Sequence, residues 1–522
     1  MQRPSKWPSV GPRVLLPACI LLVLVVNVVV FVQWTTSTST PVHPRFKRRY
    51  GEADGPALPS LPGNATCWFD DPKVKRVPTP DLEHLSLLQT ACVAEADDII
   101  TWRYGANATT AQPTRLRRDD PGVLDELRRC PDIDIFLPSG LRGSGYCEDG
   151  VAYTKYGASR LLPLWALEDE YFDVQRNAKV TYFDLCPGTP VIFFNHYWPP
   201  WTWPRTKPIY LMPNIEMGEL QSAQYWRASV VICKTRDCYH RVSTWYEQHG
   251  SPTGAAVVYS RHTSTDIAGH ITRLLGADVR PKDFENVRFT HSAGGSVSKG
   301  TDQVLGCWLS RPDLPPLDLS MSEHLYNMGY SKYEAAIAAS GNIHFDRIKL
   351  DEVAFGKRFA EASFFLCASR KEGYGHYINQ ARAAGGVIIT TNGPPMNELV
   401  QAPINGVYVK TASSYHPDQM MGGNFNGDFG LRGFGGLEAD YSAGDLCAAV
   451  DHVLELSTFE RQRMGTAAQQ AYHDDTKYFA AAMRNLRAIA RAQLASNLTA
   501  ADVVASGNWQ QTALQDFSCR TV

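Results

Sequence analysis

The chain has 522 residues, and its 51 Lys and Arg against 53 Asp and Glu leave a formal net charge of -2, which removes the electrostatic motive for binding nucleic acid. Hydrophobic residues at 44% and aromatics at 11% are the composition of a globular protein, long enough for two domains with flanks.

The first element in chain order is Val14 to Val32, 19 residues without a charge, about 28 Å as a helix at ~1.5 Å per residue. That is close to the ~30 Å thickness of a bilayer core. Pro17 and Asn27 interrupt the run, but it exceeds a usual signal core and no small-x-small cleavage site follows. A signal anchor over 14–34 behind a tail of residues 1–13 is therefore expected, with a cleaved signal peptide as the competing reading.

Arg3, Lys6 and Arg13 precede the run, and Arg45, Lys47, Arg48 and Arg49 follow it, so positive charge does not orient it. Three glycosylation sequons beyond it, at Asn64, Asn107 and Asn497, together with eleven of the 12 cysteines, suit a lumenal and oxidising side. The expectation is a single-pass type II protein of the Golgi or endoplasmic reticulum lumen. Arg45-Phe46-Lys47-Arg48 also offers a basic cleavage site from which a shed form could arise. Residues 35–89, rich in Pro, Thr, Ser and Gly toward their start, read as a stem.

Two folded halves follow. In residues 90–284, short apolar strands are expected at 133–137, 180–183, 191–194, 209–212, 230–233 and 256–259. Segments of that kind, buried on both faces, indicate a parallel sheet. In 285–475 the alternation restarts, with strands near 287–290, 343–345, 364–366, 387–389 and 407–409. The fold class is therefore α/β, two doubly wound Rossmann-like domains facing a cleft. Residues 476–522 form a helical tail, and the Gly-rich stretch 420–444 a long loop or insertion. Cys233 and Cys238 have a spacing that suits zinc, yet no companion cluster exists, so a disulfide or two buried thiols is favoured.

Two loops carry chemistry. After the strand at 287–290, Ser292-Ala293-Gly294-Gly295-Ser296-Val297-Ser298-Lys299-Gly300-Thr301 leads into a helix. Its small residues let backbone approach a diphosphate, with Lys299 as a mobile point charge. It is not a Walker A loop, whose Lys directly follows its last Gly. After the strand at 364–366 come Glu372-Gly373-Tyr374-Gly375-His376, then a helix carrying Gln380, then Gly385-Gly386 and another buried strand. This is a strand, loop, helix and strand unit whose helix amino end favours a phosphate or sugar hydroxyls. Other strand ends carry Arg142-Gly143, Asn195-His196 and Asn214-Ile215-Glu216, with Trp198, Trp201 and Trp203 nearby. Glu398 follows the strand ending at Thr391.

The Glu372 segment resembles the signature of the retaining glycosyltransferases of the glycosyltransferase B fold, the group that includes bacterial mannosyltransferases and sucrose synthases. There a Glu-Gly-Phe/Tyr-Gly loop is followed by a second Glu eight positions on; here that position is Gln380. The resemblance implies that Glu372 lies against the donor sugar and Gln380 holds the ribose, through an amide rather than a carboxylate. It implies donor contacts at Gly295, Lys299, Gly373, Tyr374, Gly375, His376 and Glu398, and His196 beside the donor sugar. Arg142, Gly143, Asn214 and Glu216 are the acceptor-side candidates.

The implied activity is transfer of a sugar from a nucleotide-sugar donor to a hydroxyl of a glycan, glycoprotein or glycolipid. Configuration is retained, the departing phosphate helps to deprotonate the acceptor, and neither a metal nor another cofactor is needed. Two alternatives stand beside it. One is a non-catalytic sugar- or nucleotide-binding or scaffold protein that has lost the second acid. The other is a metal-dependent transferase or hydrolase built on Asp132 and Asp134.

Overall fold

The computed structural model describes residues 69–104, 113–195, 203–347 and 350–507. The expected anchor, the sequons at Asn64 and Asn107, His196, Trp198 and Trp201 lie outside them. Among the described residues no helix is long and apolar enough to cross a membrane.

Packed chain begins inside the stretch expected as stem. Helix α1 (Thr79–Ala94) buries Leu85, Leu88 and Ala91 in the core of the first half. Cys92 ties it to Cys147 of α2 (Ser144–Tyr156).

The first sheet contains β1 (Ile99–Tyr104), β2 (Pro113–Leu116), β3 (Asp134–Phe136) and β4 (Arg160–Leu162). The hairpin β5 (Tyr171–Asp173) and β6 (Ala178–Val180) stands outside it, and β7 (Val191–Phe193), β8 (Ile209–Leu211), β9 (Val230–Cys233) and β10 (Ala256–Tyr259) complete it. Its order is β10-β9-β8-β7-β3-β4-β1-β2. Pairing is parallel from β10 to β4, but β1 runs antiparallel to both β4 and β2, so the sheet is mixed rather than uniformly parallel. The strand expected at 180–183 is corrected: Val180 ends β6, and Tyr182–Leu185 turns into a helix. Its entry is fixed by Thr181, whose N–H donates to Asp184 Oδ2 at 2.8 Å. Helix α3 (Arg236–His249) follows β9, and the Cys233–Cys238 disulfide joins that strand to the first turn of α3, accounting for the zinc-like spacing.

The second sheet contains β11 (Phe289–Gly294), β12 (Leu317–Met321), β13 (Ile343–Asp346), β14 (Phe364–Cys367), β15 (Val387–Thr391) and β16 (Val407–Val409). All its pairings are parallel. The order is β13-β12-β11-β14-β15-β16, the doubly wound arrangement in which winding reverses between the first and fourth strands. Helix α4 (Thr301–Ser310) follows β11, and α5 (His376–Ala383) joins β14 to β15.

The Gly-rich stretch is an ordered insertion. The hairpin β17 (Ala412–Ser414) and β18 (Glu438–Asp440) closes its base. Its Met420, Met421, Leu431 and Leu437 are buried in the core of the first half. Four such side chains, at about 1.5–3 kcal/mol each, hold it on α3. There Trp245 Nε1 donates to Phe429 O at 2.6 Å, and Arg241 Nη1 donates to Met421 O and Gly435 O at 2.9 Å each.

Helix α6 (Thr458–Ala495) runs straight through the boundary expected at residue 475. Met464 and Ala468 pack with the second half, whereas Phe479, Met483, Leu486 and Ile489 pack with the first. Cys130–Cys186 and Cys307–Cys447 are also disulfides, and Cys367 is free and buried.

Candidate functional site

Between the neighbouring strands β11 and β14 the winding of the sheet reverses, the place where an open α/β sheet leaves a crevice at its carboxyl ends. The two loops approach closely. Gly300 has φ +69°, and a Cβ there would collide with Ala368 O and Tyr441 Oη, so only glycine fits. Arg370 N donates to Ser298 O at 2.7 Å across the gap. Beneath them, buried His291 sits with Nδ1 2.8 Å from Leu366 O and Nε2 3.0 Å from Thr301 Oγ1. Burial lowers its pKa to about 4, so the neutral ring tethers the start of α4 to β14.

Lys299 and Glu372 come together in this crevice: Lys299 Nζ is paired with Glu372 Oε1, and Ser369 Oγ donates to the same oxygen at 2.5 Å. Glu372 lines a cavity of about 540 Å³ together with Ser296, Ser298 and Lys371. The first half contributes Glu216, Met217 and Glu219, and the insertion contributes His416, Asp418 and Gln419. Lys371 is held by Glu438 at 2.9 Å. Sequence reasoning singled out Lys299, Glu372 and Glu216. It expected the insertion but not the part of His416, Asp418 and Gln419 in the cavity wall, because the Gly-rich sequence carries no sign of which loop it meets.

Asn214 and Glu216 reach the Glu372 loop by close approach. A Cβ on Gly373 would overlap Asn214 Oδ1 and lie 2.8 Å from Glu216 Oε1. The turn is braced on both sides: Asn195 Nδ2 donates to Asn214 O at 2.9 Å, Asn214 N donates to Asn195 Oδ1 at 2.7 Å, and Gln419 Nε2 donates to Glu216 O at 2.7 Å. Glu216 Oε2 is buried with no hydrogen-bond partner among the described residues. Burial, reinforced by the Glu372 carboxylate, raises its pKa to about 7.

Several other sequence candidates lie in the contact between the halves. Gly375 starts α5 with φ +102°, and Tyr374 Oη donates to His262 O at 2.8 Å. His376 Nε2 lies 3.0 Å from Asp149 Oδ1, and its Nδ1 lies 2.8 Å from Ser264 Oγ. Gln380 Nε2 donates to Glu148 Oε1 at 2.8 Å. Glu398 accepts from the backbone N–H of Arg236 at 2.6 Å and of Asp237 at 2.9 Å, so it caps α3.

Arg142 is buried, and its Nε and Nη1 donate to the carbonyls of Leu137, Glu95 and Asp98. Gly143 precedes α2 with open space where a Cβ would stand, and a Cβ on Gly295 would have only Ser322 Oγ, at 3.8 Å, near it. Trp203 packs in the core against Phe136 and Phe193.

Among the described residues, Asp149, His262 and His376 could present ligand atoms to a cation. Lys234 Nζ already sits 2.9 and 3.0 Å from the two Asp149 oxygens, an ammonium where a cation would go. Burial pushes the Asp149 pKa up, but Lys234 and His376 outweigh it and hold the carboxyl well below its ordinary range. Asp132 is engaged by Arg487 and Arg491, and Asp134 by Arg160 and Tyr182, so both acids of the metal-pair alternative are committed.

No family model and no curated protein matches the chain. Solved structures do resemble it. Sucrose-phosphate synthase from Thermosynechococcus elongatus is similar over 65% of this chain and 84% of its own, at 12% identity and a TM-score of 0.42. A glycosyltransferase from Rickettsia africae ESF-5 is similar over 63% and 77%, at 12% identity and 0.39. The Anabaena protein HepE, solved with UDP and glucose, is similar over 56% and 72%, at 15% identity and 0.36.

Proposed function

We propose that this chain is a glycosyltransferase of the glycosyltransferase B type, moving a sugar from a nucleotide-sugar donor to a hydroxyl acceptor with retention and without a divalent metal. The observation that carries the reading is the pairing of Lys299 with Glu372 at the carboxyl ends of β11 and β14, beside the 540 Å³ cavity. A crevice at a winding reversal is where open α/β sheets take nucleotide ligands. Ser296, Ser298 and Lys299 suit a departing diphosphate, whose growing charge a fixed cation and hydroxyls stabilise. Glu372 suits the hydroxyls of the donor sugar, and the turn at Asn214 and Glu216 suits the acceptor. Holding both substrates in one cavity supplies proximity, and Lys299 takes the part a metal would have.

The acceptor is a glycan, glycoprotein or glycolipid reached from the lumen of the Golgi or endoplasmic reticulum by a type II membrane protein. Four disulfides among the described residues support an oxidising compartment.

A second reading, a binding or scaffold protein, draws on one observation: Gln380 is committed to Glu148 rather than turned to the cavity. Thermal shift with UDP, GDP, ADP and CMP, with and without a chelator, separates the two when run beside release of nucleotide from the matching nucleotide sugars. Stabilisation by one nucleotide, insensitive to chelator and lost in Lys299→Ala, together with turnover of its sugar, is the expected result. Stabilisation without turnover favours the second reading, and silence in both assays overturns the first.

A further inference from the structure

We infer that Glu216 is the base that takes the proton from the attacking acceptor hydroxyl, the part that the family resemblance leaves to the departing phosphate. This rests on the proposed transferase reading. Glu216 lines the same cavity as Ser296, Ser298 and Glu372, and its Oε1 lies 2.8 Å from where a Cβ of residue 373 would stand. The carboxylate is therefore beside the loop that meets the donor sugar.

Its position is set by main chain and not by a counter-ion. Gln419 holds its carbonyl, and the Asn195–Asn214 exchange fixes the turn before it. The cations around it are spent on other acids: Lys299 on Glu372, Lys371 on Glu438 and Lys234 on Asp149. None of the ion pairs among the described residues includes Glu216, and its Oε2 is buried without a hydrogen-bond partner there. A carboxylate so placed has lone pairs left for a substrate proton.

The surrounding charges agree with that role. Burial is the chief cause of a pKa raised to about 7, and Glu372 raises it further, while the residue's own backbone N–H, Lys234 and Lys371 act in the other direction. Tyr146 and Tyr225 face it as phenols whose own pKa values are raised, foremost by burial. From the insertion, His416 and Asp418 lie 3.6 Å from each other, and Glu219 lines the cavity on its own segment. A base whose pKa is near the working pH combines availability with driving force.

In the step, the acceptor oxygen bonds to the anomeric carbon, and the bond from that carbon to the diphosphate oxygen breaks. The electron pair leaves with the diphosphate, whose charge falls to Lys299. The hydroxyl proton passes to the Glu216 carboxylate and is lost to solvent as product leaves. Front-face attack needs no other protein group.

The test compares wild type with Glu216→Gln and Glu216→Asp. It measures thermal stabilisation by UDP and GDP, and the pH profile of diphosphate release from the nucleotide sugar that wild type turns over, with water as the acceptor. Wild type should show a rate that rises with pH through a midpoint near 7. Glu216→Gln should lose that limb and about 10²–10⁴-fold in rate while keeping its diphosphate stabilisation, and Glu216→Asp should retain the limb at reduced rate. A Glu216→Gln enzyme that keeps the limb overturns the inference in favour of the phosphate, and one that loses diphosphate stabilisation overturns it in favour of a positioning role. If wild type itself neither binds a diphosphate nor releases one, the failure belongs to the transferase reading and the inference falls with it.

Discussion

Gln380 of the second half donates its amide to Glu148 of the first at 2.8 Å, and the same carboxylate accepts from Thr265 N at 2.8 Å and Thr265 Oγ1 at 2.6 Å. The amide at position 380 is thus the neutral partner of an acid brought from across the molecule. Burial is the first reason that the pKa of Glu148 is raised. A carboxylate at 380 would confront it in a dry site.

Gln380→Glu should therefore destabilise the protein by about 3 kcal/mol and gain no turnover. The two acids would share a proton, so their folded pKa values stand above the unfolded ones, and stability present at low pH is lost as pH rises. Urea midpoints at pH 5 and pH 8 check this, with the larger deficit at pH 8. Adding Glu148→Gln should recover part of the loss by reversing the pair. An unchanged midpoint would mean that Gln380 is free for a ligand after all.

Glu372 neutralises Lys299 in the unliganded protein, so on the proposed transferase reading a diphosphate has to displace it from the lysine. Glu372→Gln should bind a nucleoside diphosphate as well as wild type or up to about tenfold more tightly, a gain of roughly 1.4 kcal/mol. Turnover should fall by about 10²–10³-fold as the sugar loses its partner. Calorimetric titration and single-turnover rates on the same preparation distinguish these opposite effects.

Gly373 has no room for a methyl group, because Asn214 Oδ1 occupies that space and Glu216 Oε1 is 2.8 Å away. Gly373→Ala should cost about 1–3 kcal/mol through overpacking and lower turnover by moving Glu216. Gly143→Ala, where a Cβ meets nothing within 4 Å, is the control expected to leave the unfolding midpoint in place.

Glu398 caps α3 from the other half, and burial raises its pKa to about 7. A folded pKa above the unfolded one makes its contribution complete below about pH 4.5, with loss as pH rises through 7. Wild type should fall relative to Glu398→Gln by roughly 2 kcal/mol across that window, after allowance for partial exposure. Melting temperatures of both proteins from pH 4.5 to 8 test it; parallel curves would remove Glu398 as the cause.

Much of the fold was legible because strands such as Val230–Cys233 and Val387–Thr391 are apolar on both faces, a pattern that parallel sheets require. Strand β12 escaped because Asp318 and Ser320 alternate with its Leu and Met; Asp318 is carried at the sheet surface by a pair with Arg288 at 2.6 Å. Strand β4 escaped because it opens with Arg160, whose buried charge is met by Asp134 and by the carbonyls of Glu126 and Leu127. At the site, Lys299 and Glu372 were legible from loops at strand ends. The fates of Gln380, Glu398 and Arg142 were not, since each depends on a partner far along the chain, and the wall built by His416 and Asp418 depends on how the insertion packs.

Helix α6 also bears on how the protein is made. The core around Leu85, Leu88 and Ile135 includes Phe479, Leu486, Ile489 and Val503, so the half that leaves the ribosome first lacks part of its interior until residues 479–503 emerge. During that interval apolar surface stays open, and such surface makes a nascent chain dependent on chaperones. Early termination near residue 475 would thus deprive the beginning of the molecule, rather than its end, of a finished core.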